Sequence, residues 1–133
     1  MQYGQVIRGR FLTRPNRFIA HVALPGGETV VCHVKNTGRC RELLTPGAVV
    51  YLEQVSNPAR KTGYDLIAVE KGDLLINMDA QAPNRVFQEW AAQGHFLSDV
   101  QAIRPEFRYG ESRLDFALST EKGLHLVEVK GVT

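Results

Sequence analysis

The sequence predicts a β-barrel in its first half and a mixed α/β domain in its second half. Three observations carry this prediction. Short segments rich in β-branched and aromatic residues fill positions 1–78, a helical pattern begins near position 82, and charged residues interrupt the last two apolar segments. Because the pattern changes near residue 78, we expect two domains, at 1–78 and 79–133.

Six segments of the first half have the composition of β-strands and are separated by turn residues. They are residues 5–12, 17–24, 28–35, 48–55, 64–71 and 74–77. After the third segment, a turn at Asn36, Thr37 and Gly38 leads into RCRELL (39–44), which predicts a short helix that ends before Pro46. Five strands with a helical insertion after the third have the order of an oligonucleotide-binding (OB) barrel.

Charge is distributed unevenly along the chain. Residues 1–70 contain nine Lys/Arg and five Asp/Glu, a net charge of +4, whereas residues 71–133 contain seven and nine, a net charge of −2. A basic first half is suited to holding a polyanion, and an acidic second half provides carboxylates for chemistry. Two ordinary solvated surfaces are the alternative to this interpretation.

Basic and aromatic residues are interleaved at the start of the chain. We predict that Arg14, Arg17 and Phe18 bind nucleic acid, because such side chains provide phosphate contacts and base stacking. The alternative for Phe18, and for Phe11, is that these rings fill the barrel. Another candidate for the binding surface is the basic loop at 60–61.

The composition gives no sign of a secreted or membrane protein. No apolar run reaches the roughly 18 residues of a membrane helix, and the N-terminus lacks the apolar segment of a secretory signal. Cys32 and Cys40 form no CxxC pair, and a zinc site combining them with His21 and His33 would match no common spacing. We therefore expect a cytoplasmic protein with no membrane partner.

The second half predicts one helix followed by three strands. Residues 82–94 have a helical pattern in which Pro83 suits the first turn and Gly94 the end. One face of this helix carries the apolar residues Val86, Phe87, Trp90 and Ala91. The strands are predicted near 99–108 and at the two final apolar segments, with a turn at 120–123.

The last two strands predict a hairpin in which paired residue numbers sum to 243. Phe116 then faces Val127 on an apolar side, and Asp115 faces Glu128 on the opposite side. Two opposed carboxylates repel each other unless a cation lies between them, and Mg²⁺ binds such oxygen ligands. Lys130 shares this side and could orient a water or stabilise a phosphate. The spacing is compatible with phosphodiester hydrolysis, and equally with a solvated face of salt bridges.

Several motifs resemble the sugar fermentation stimulation protein A family. They are GESRLDF (110–116), VEVKGVT (127–133), NRF (16–18), HVKNTGR (33–39), PNRVFQE (83–89) and PEFRYG (105–110). Their joint occurrence in this order covers the whole chain. The Asp…Glu-x-Lys pattern is similar to that of the PD-(D/E)xK nuclease superfamily.

This resemblance implies an OB-like barrel followed by an incomplete restriction-endonuclease-like α/β domain. It implies metal ligation by Asp115 and Glu128 with Mg²⁺ or Mn²⁺, a catalytic role for Lys130, a helper role for Glu89 and a phosphate contact for Arg113. The substrate class would be DNA or RNA. The alternative is a non-catalytic DNA-binding regulator of sugar-metabolism genes; a sugar-binding regulator has no residue constellation in its favour.

The resemblance also implies that the family continues beyond the Glu-x-Lys strand. We therefore expect the sequence to be a truncated form whose final sheet lacks a covering helix. An uncovered apolar face and an open strand edge favour association. The expected consequence is a homodimer through the 112–130 hairpin, or poor order in that hairpin.

Overall fold

The computed structural model describes residues 1–131, which form two compact units. One unit comprises Gln2–Ala80, and the other begins at Gln81 and includes Met1. Val132 and Thr133, at the end of the predicted second domain, lie outside the described residues. None of the described segments forms an apolar helix of membrane-spanning length.

The first unit is a β-barrel with one additional strand. Its strands are β1 (Val6–Asn16), β2 (Ile19–Ala23), β3 (Thr29–Val34), β4 (Val49–Gln54), β5 (Tyr64–Lys71) and β6 (Leu74–Asn77). They follow the order β3-β2-β1-β4-β5-β6, and a parallel pairing of β3 with β5 closes the first five strands. The predicted five-stranded OB-like barrel is confirmed.

Alternating apolar side chains fill the barrel, as the strand patterns require. The buried core includes Phe11, Val22, Cys32, Val34, Val50, Leu52, Leu66 and Val69. Phe11 is 3% exposed, which confirms the alternative that this ring fills the barrel. For Phe18 that alternative is wrong, because its side chain is 51% exposed.

The predicted short helix at 39–44 is wrong. This segment forms a turn in which the N–H groups of Leu43 and Leu44 both donate to the Cys40 carbonyl, at 3.1 and 2.9 Å. Cys40 has φ of 49°, in the left-handed region, and this conformation interrupts a right-handed helix. The turn nevertheless contributes to the barrel core, because the side chains of Leu43 and Leu44 are buried in that core.

A buried carboxylate lies beside the strand pair that closes the barrel. Asp65 of β5 pairs in register with His33 of β3, and its side chain is 3% exposed. Arg60 donates hydrogen bonds to this carboxylate, one of them at 3.3 Å, and Lys35 Nζ lies 3.5 Å away. Burial alone would raise the pKa of Asp65, but the hydrogen bonds and charge of Arg60, with the charges of Lys35 and His33, hold it below its ordinary value.

A second buried carboxylate extends this cluster. Asp79 follows β6, its side chain is fully buried, and its Oδ2 lies 3.7 Å from Lys35 Nζ. The hydroxyl of Tyr3 donates to the same oxygen at 3.0 Å. Lys35 therefore lies between two buried carboxylates, a geometry that offsets the desolvation of all three charges.

The second unit contains one helix and a three-stranded antiparallel sheet. The elements are α1 (Ala82–Ala92), β7 (Ala102–Tyr109), β8 (Ser112–Thr120) and β9 (Gly123–Val127), in the sheet order β7-β8-β9. This arrangement fits the α/β part of the predicted fold class. Phe87 of α1 packs on Phe116 of β8 with ring centroids 5.2 Å apart.

The helix buries only half of its predicted apolar face. Ala91 is buried and Phe87 half-buried, whereas Val86 and Trp90 are 53% and 44% exposed. Trp90 instead packs at the edge of the unit, stacked against His95 at 6.2 Å. A small three-stranded sheet covers a narrower helix stripe than the pattern predicts.

The hairpin register is confirmed where the two strands pair. Phe116 pairs with Val127 and Thr120 with Gly123, so paired residue numbers sum to 243. β9 ends at Val127, earlier than predicted, and Asp115 and Glu128 are therefore not a ladder pair. Association of two chains through this hairpin stays a prediction.

We predict that Asp65→Asn lowers the free energy of unfolding of the barrel by about 3–5 kcal/mol at pH 7, because it takes the carboxylate away from the partly buried Arg60 and leaves Lys35 with Asp79 alone. Since the folded pKa of Asp65 is depressed, its stabilisation is present above the unfolded value of about 4 and is lost as the pH falls through the folded pKa. The variant should therefore lose less stability than the wild type on acidification.

Native-state hydrogen exchange of the β3 and β5 amides measures this effect, because these strands close the barrel. Asp73→Asn is the matched control: Asp73 is exposed and has no ion pair within residues 1–131. Equal protection in the two variants would show that the Asp65 cluster does not stabilise the closure.

Candidate functional site

The Asp115 carboxylate, on β8, is surrounded by hydrogen-bond partners. The Val129 N–H donates to its Oδ2 at 2.8 Å, and the side chains of Asn84 and Glu128 lie within hydrogen-bond reach. The Val129 hydrogen bond, more than any other contact, holds the pKa of Asp115 below its usual value. Asn84, Glu128 and the charge of Lys130 act in the same direction against partial burial. Asp115 is therefore an anion at neutral pH.

Glu128 and Lys130 lie on the segment that follows β9. Both are exposed, whereas Val129 between them is half-buried and packs against the core of the unit. This alternation directs the carboxylate and the ammonium away from the core. The structure thus brings Asp115, Glu128 and Lys130 together, and their chemical roles stay a prediction.

The donor set fits a hard divalent cation. Two carboxylates with room for water are typical ligands of Mg²⁺, which keeps several waters in its coordination shell. No group of three or more His, Cys, Asp or Glu side chains within the described part of the chain has metal-binding geometry. A closed zinc site of His21, Cys32, His33 and Cys40 is therefore not formed by the described residues. Burial and the charge of Asp65 raise the pKa of Cys32 to about 12, so this thiol stays protonated.

Glu89 is not part of this arrangement. It lies five residues after Asn84, about 140° around the helix, and is exposed. Its carboxylate instead pairs with the amino group of Met1. The helix face that reaches Asp115 is the one that carries Asn84, and the helper role of Glu89 stays a prediction.

Asn84 is the site residue that the sequence analysis missed. It stands in the first turn of α1 beside Pro83, within a motif that carried only a family resemblance. An amide side chain in the first turn of the helix that precedes the carboxylate-bearing strands was the available signal.

Arg113 lies on the same strand as Asp115 but contacts a different partner. Its guanidinium donates to Glu106 Oε1 at 3.3 Å, and both side chains are mostly exposed. Glu106 lies within β7 and has φ of 51°, in the left-handed region. An exposed pair of this kind stabilises little and exchanges readily for another anion.

The guanidinium of Arg14 braces a loop of the barrel unit through hydrogen bonds to the backbone. Its four terminal N–H donors are taken by the backbone carbonyls of Asn36, Gly38, Arg39 and Arg17, at 2.6 to 2.8 Å. The predicted phosphate contact of Arg14 therefore needs correction, because no terminal donor remains for a phosphate. Arg14 fixes the Asn36-Thr37-Gly38 loop, whose role the sequence left open.

Arg17 and Phe18 lie at the exposed turn between β1 and β2. Asn16 Oδ1 accepts the Phe18 N–H at 2.8 Å and fixes this turn. Neither side chain is buried, so both remain available to a ligand. In the alternative loop, Arg60 is committed to Asp65, and of the two basic residues Lys61 alone is exposed.

Comparison with known proteins decides the family. The family model for the SfsA N-terminal OB domain matches residues 12–78, and the model for the sugar fermentation stimulation protein RE domain matches residues 81–133. The chain belongs to the sugar fermentation stimulation protein family. The fold class and the resemblance inferred from the sequence are thereby confirmed.

Named members of the sugar fermentation stimulation protein family match the entire chain. The homologue from Ruminiclostridium cellulolyticum is 53% identical and that from Clostridium beijerinckii 52%, each over 133 residues. The chain spans 58% of the length of each. A solved structure described as Pyrococcus furiosus SfsA in complex with Ca²⁺ matches 96% of the chain and 55% of that protein, with a TM-score of 0.83 and 28% identity.

We predict that Arg14→Lys destabilises the barrel of this family member by about 2 kcal/mol, because a single ammonium cannot reach four carbonyls. Arg17→Lys is the control and should change stability by less than about 0.5 kcal/mol, since the Arg17 side chain is exposed. NMR-detected chemical denaturation, followed on β1 and β3 amides, compares the two. Equal stability of both variants would contradict the bracing role.

Proposed function

We propose that the chain carries the nucleic-acid-binding surface and the metal ligands of a phosphodiester hydrolase. The observation that carries this proposal is the convergence of Asp115, Glu128 and Lys130, with Asp115 held as an anion by the Val129 N–H. A carboxylate pair beside an ammonium is the chemistry that metal-assisted phosphodiester hydrolysis requires.

Asp115 and Glu128 would hold the cation, Mg²⁺ or Mn²⁺. A bound cation would supply Lewis-acid stabilisation of the charge on the reacting phosphate. The solved Pyrococcus furiosus SfsA structure is a complex with Ca²⁺, another hard cation that takes oxygen ligands. This similarity supports a divalent ion here without specifying which one.

Besides the bound cation, the proposed site would have one positive charge from the protein, the ammonium of Lys130. Its ammonium lies close enough to Asp115 to lower the pKa of that carboxyl, and it is exposed to an incoming strand. Its N–H groups can donate to a phosphate oxygen or orient the attacking water. Arg113, two residues before Asp115, would exchange Glu106 for a neighbouring phosphate.

The OB-like unit would provide most of the affinity for nucleic acid. Barrels of this type bind oligonucleotides on one sheet face and the adjoining loops. Arg17 offers a phosphate contact and Phe18 an exposed ring for base stacking. The proposed ligand is DNA or RNA, and the proposed compartment is the cytoplasm.

A non-catalytic DNA-binding regulator is the second candidate. It is favoured by the two-carboxylate donor set, since the residues that the structure describes add no third acidic or histidine ligand. Such a regulator would retain the barrel surface and use Asp115 only to fix the segment after β9.

We predict that Asp115→Asn weakens Mn²⁺ binding more than tenfold in calorimetric titration, because it removes one anionic ligand. In the protein that carries these 133 residues, Lys130→Met should lower Mg²⁺- or Mn²⁺-dependent cleavage by roughly 10²–10⁴-fold while leaving metal uptake intact. Glu121→Gln, at the exposed hairpin turn, is the matched control.

The two candidate functions give different results in these measurements. Metal uptake that depends on Asp115, with cleavage that depends on Lys130, supports the hydrolase. Nucleic-acid binding without cleavage of single- or double-stranded DNA or RNA, in either metal, supports the regulator.

We predict that Arg17→Ala lowers the slope of log affinity against log salt by about 1, because one phosphate contact releases its counterions. Phe18→Ala should weaken single-strand binding by about 1–3 kcal/mol with an unchanged slope, because stacking is not ionic. Fluorescence anisotropy over a salt series measures both. Lys61→Ala is the control, and a reduced slope in this variant alone would place the binding surface on the 60–61 loop.

A further inference from the structure

A pocket of about 360 Å³ lies in the barrel unit between the β1–β2 turn and the loop after β3. Among the residues that the structure describes, four arginines line it and no carboxylate does. They are Arg14, Arg17, Arg39 and Arg41. None of the four has a carboxylate partner within the described residues, so the pocket is a concentrated positive site.

Three of these guanidiniums are available to a ligand. Arg17, Arg39 and Arg41 are exposed, and within residues 1–131 their side chains make no hydrogen bond. Arg14 differs, because its terminal donors are occupied by loop carbonyls. Arg14 contributes positive charge and a fixed part of the pocket lining, while the other three arginines contribute free N–H donors.

The loop that carries two of the free arginines is held in a defined conformation. Arg39 and Arg41 flank Cys40, whose φ of 49° is uncommon for a residue other than glycine. Asn36 Oδ1 accepts the Gly38 N–H at 2.8 Å and closes a turn at the start of the loop. This conformation is the kind of local strain that folded proteins retain where residues must be positioned for a ligand.

The size and charge of the pocket favour a terminal phosphate over a run of internal ones. A volume near 360 Å³ is at the lower end of ligand pockets and suits one nucleotide-sized group. A phosphomonoester carries about −1.5 to −2 charge at neutral pH and three acceptor oxygens, whereas an internal diester carries a single charge. Three free guanidiniums in one concave site match the more highly charged group.

We propose that this pocket binds the phosphomonoester at the end of a nucleic-acid strand, through Arg17, Arg39 and Arg41. The inference rests on the proposed nucleic-acid binding and adds a preference for phosphorylated ends. Asn16 and Thr37, which also line the pocket, add neutral polar groups beside the phosphate or its sugar.

The test compares one single-stranded oligonucleotide in three forms: 5′-phosphorylated, 3′-phosphorylated and without a terminal phosphate. One phosphorylated form should bind roughly tenfold to hundredfold more tightly than the unphosphorylated strand. In Arg39→Gln/Arg41→Gln this ratio should fall to about 1. The control, Arg104→Gln/Arg108→Gln, removes the same charge from exposed positions of β7 and should keep the ratio.

The outcomes separate this inference from the proposed function. Binding of all three forms with equal affinity overturns the strand-end pocket and leaves nucleic-acid binding standing. If no strand binds, the nucleic-acid function fails, and with it the strand-end ligand. Binding of inorganic phosphate alone, with no preference among the strands, also overturns the inference. Loss of the preference in both double variants would show that net charge, rather than the pocket, creates it.

Discussion

The buried carboxylate of Asp65 is the constraint on which the barrel depends. It lies beside the parallel pairing of β3 with β5 that closes the barrel. Its carboxylate forms ion pairs with Arg60, Lys35 and His33. Lys35 in turn reaches Asp79, where the chain leaves the barrel. Each buried charge is tolerated only because the others are present, so the strand closure and the two flanking segments are fixed together.

This cluster decides which basic residues can meet a polyanion. Arg60 and Lys35 count toward the basic excess of the first half, but both are committed to buried carboxylates. Arg14 is committed to carbonyls in the same way. The charge that remains free is concentrated on the β1–β2 turn and the loop after β3. The net charge predicts a binding surface in the first half of the chain. Within that half, the structure leaves the side chains of Arg17, Arg39 and Arg41 together without a bonded partner among the described residues, and their binding of a polyanion stays a prediction.

The sequence predicted most of the strands and the long helix, but not which side chains contact each other. β5 and β6 lie where the strand composition and turn residues put them, and the final hairpin has the register that its alternation requires. The predicted helix at 39–44 is wrong because Cys40 is left-handed, and the neighbouring carbonyls of Gly38 and Arg39 accept hydrogen bonds from Arg14, which is distant in the sequence. Arg14 and Arg17 look alike in a sequence, since only the folded loop distinguishes a bracing guanidinium from a free one. Asn84 was missed because its contact with Asp115 joins a helix to a strand.

The two units would place opposite electrostatic demands on the proposed nucleic-acid strand. Arginines of the barrel attract phosphates directly, so that attraction weakens as salt rises. Asp115, kept ionised by the Val129 N–H, together with Glu128 repels a phosphate that approaches the hairpin. Lys130 offsets only one of these charges. A divalent cation would convert the repulsion into attraction, so strand contact at the hairpin should require metal while strand contact at the barrel does not. This difference follows from the charges alone and holds whether or not the site turns over.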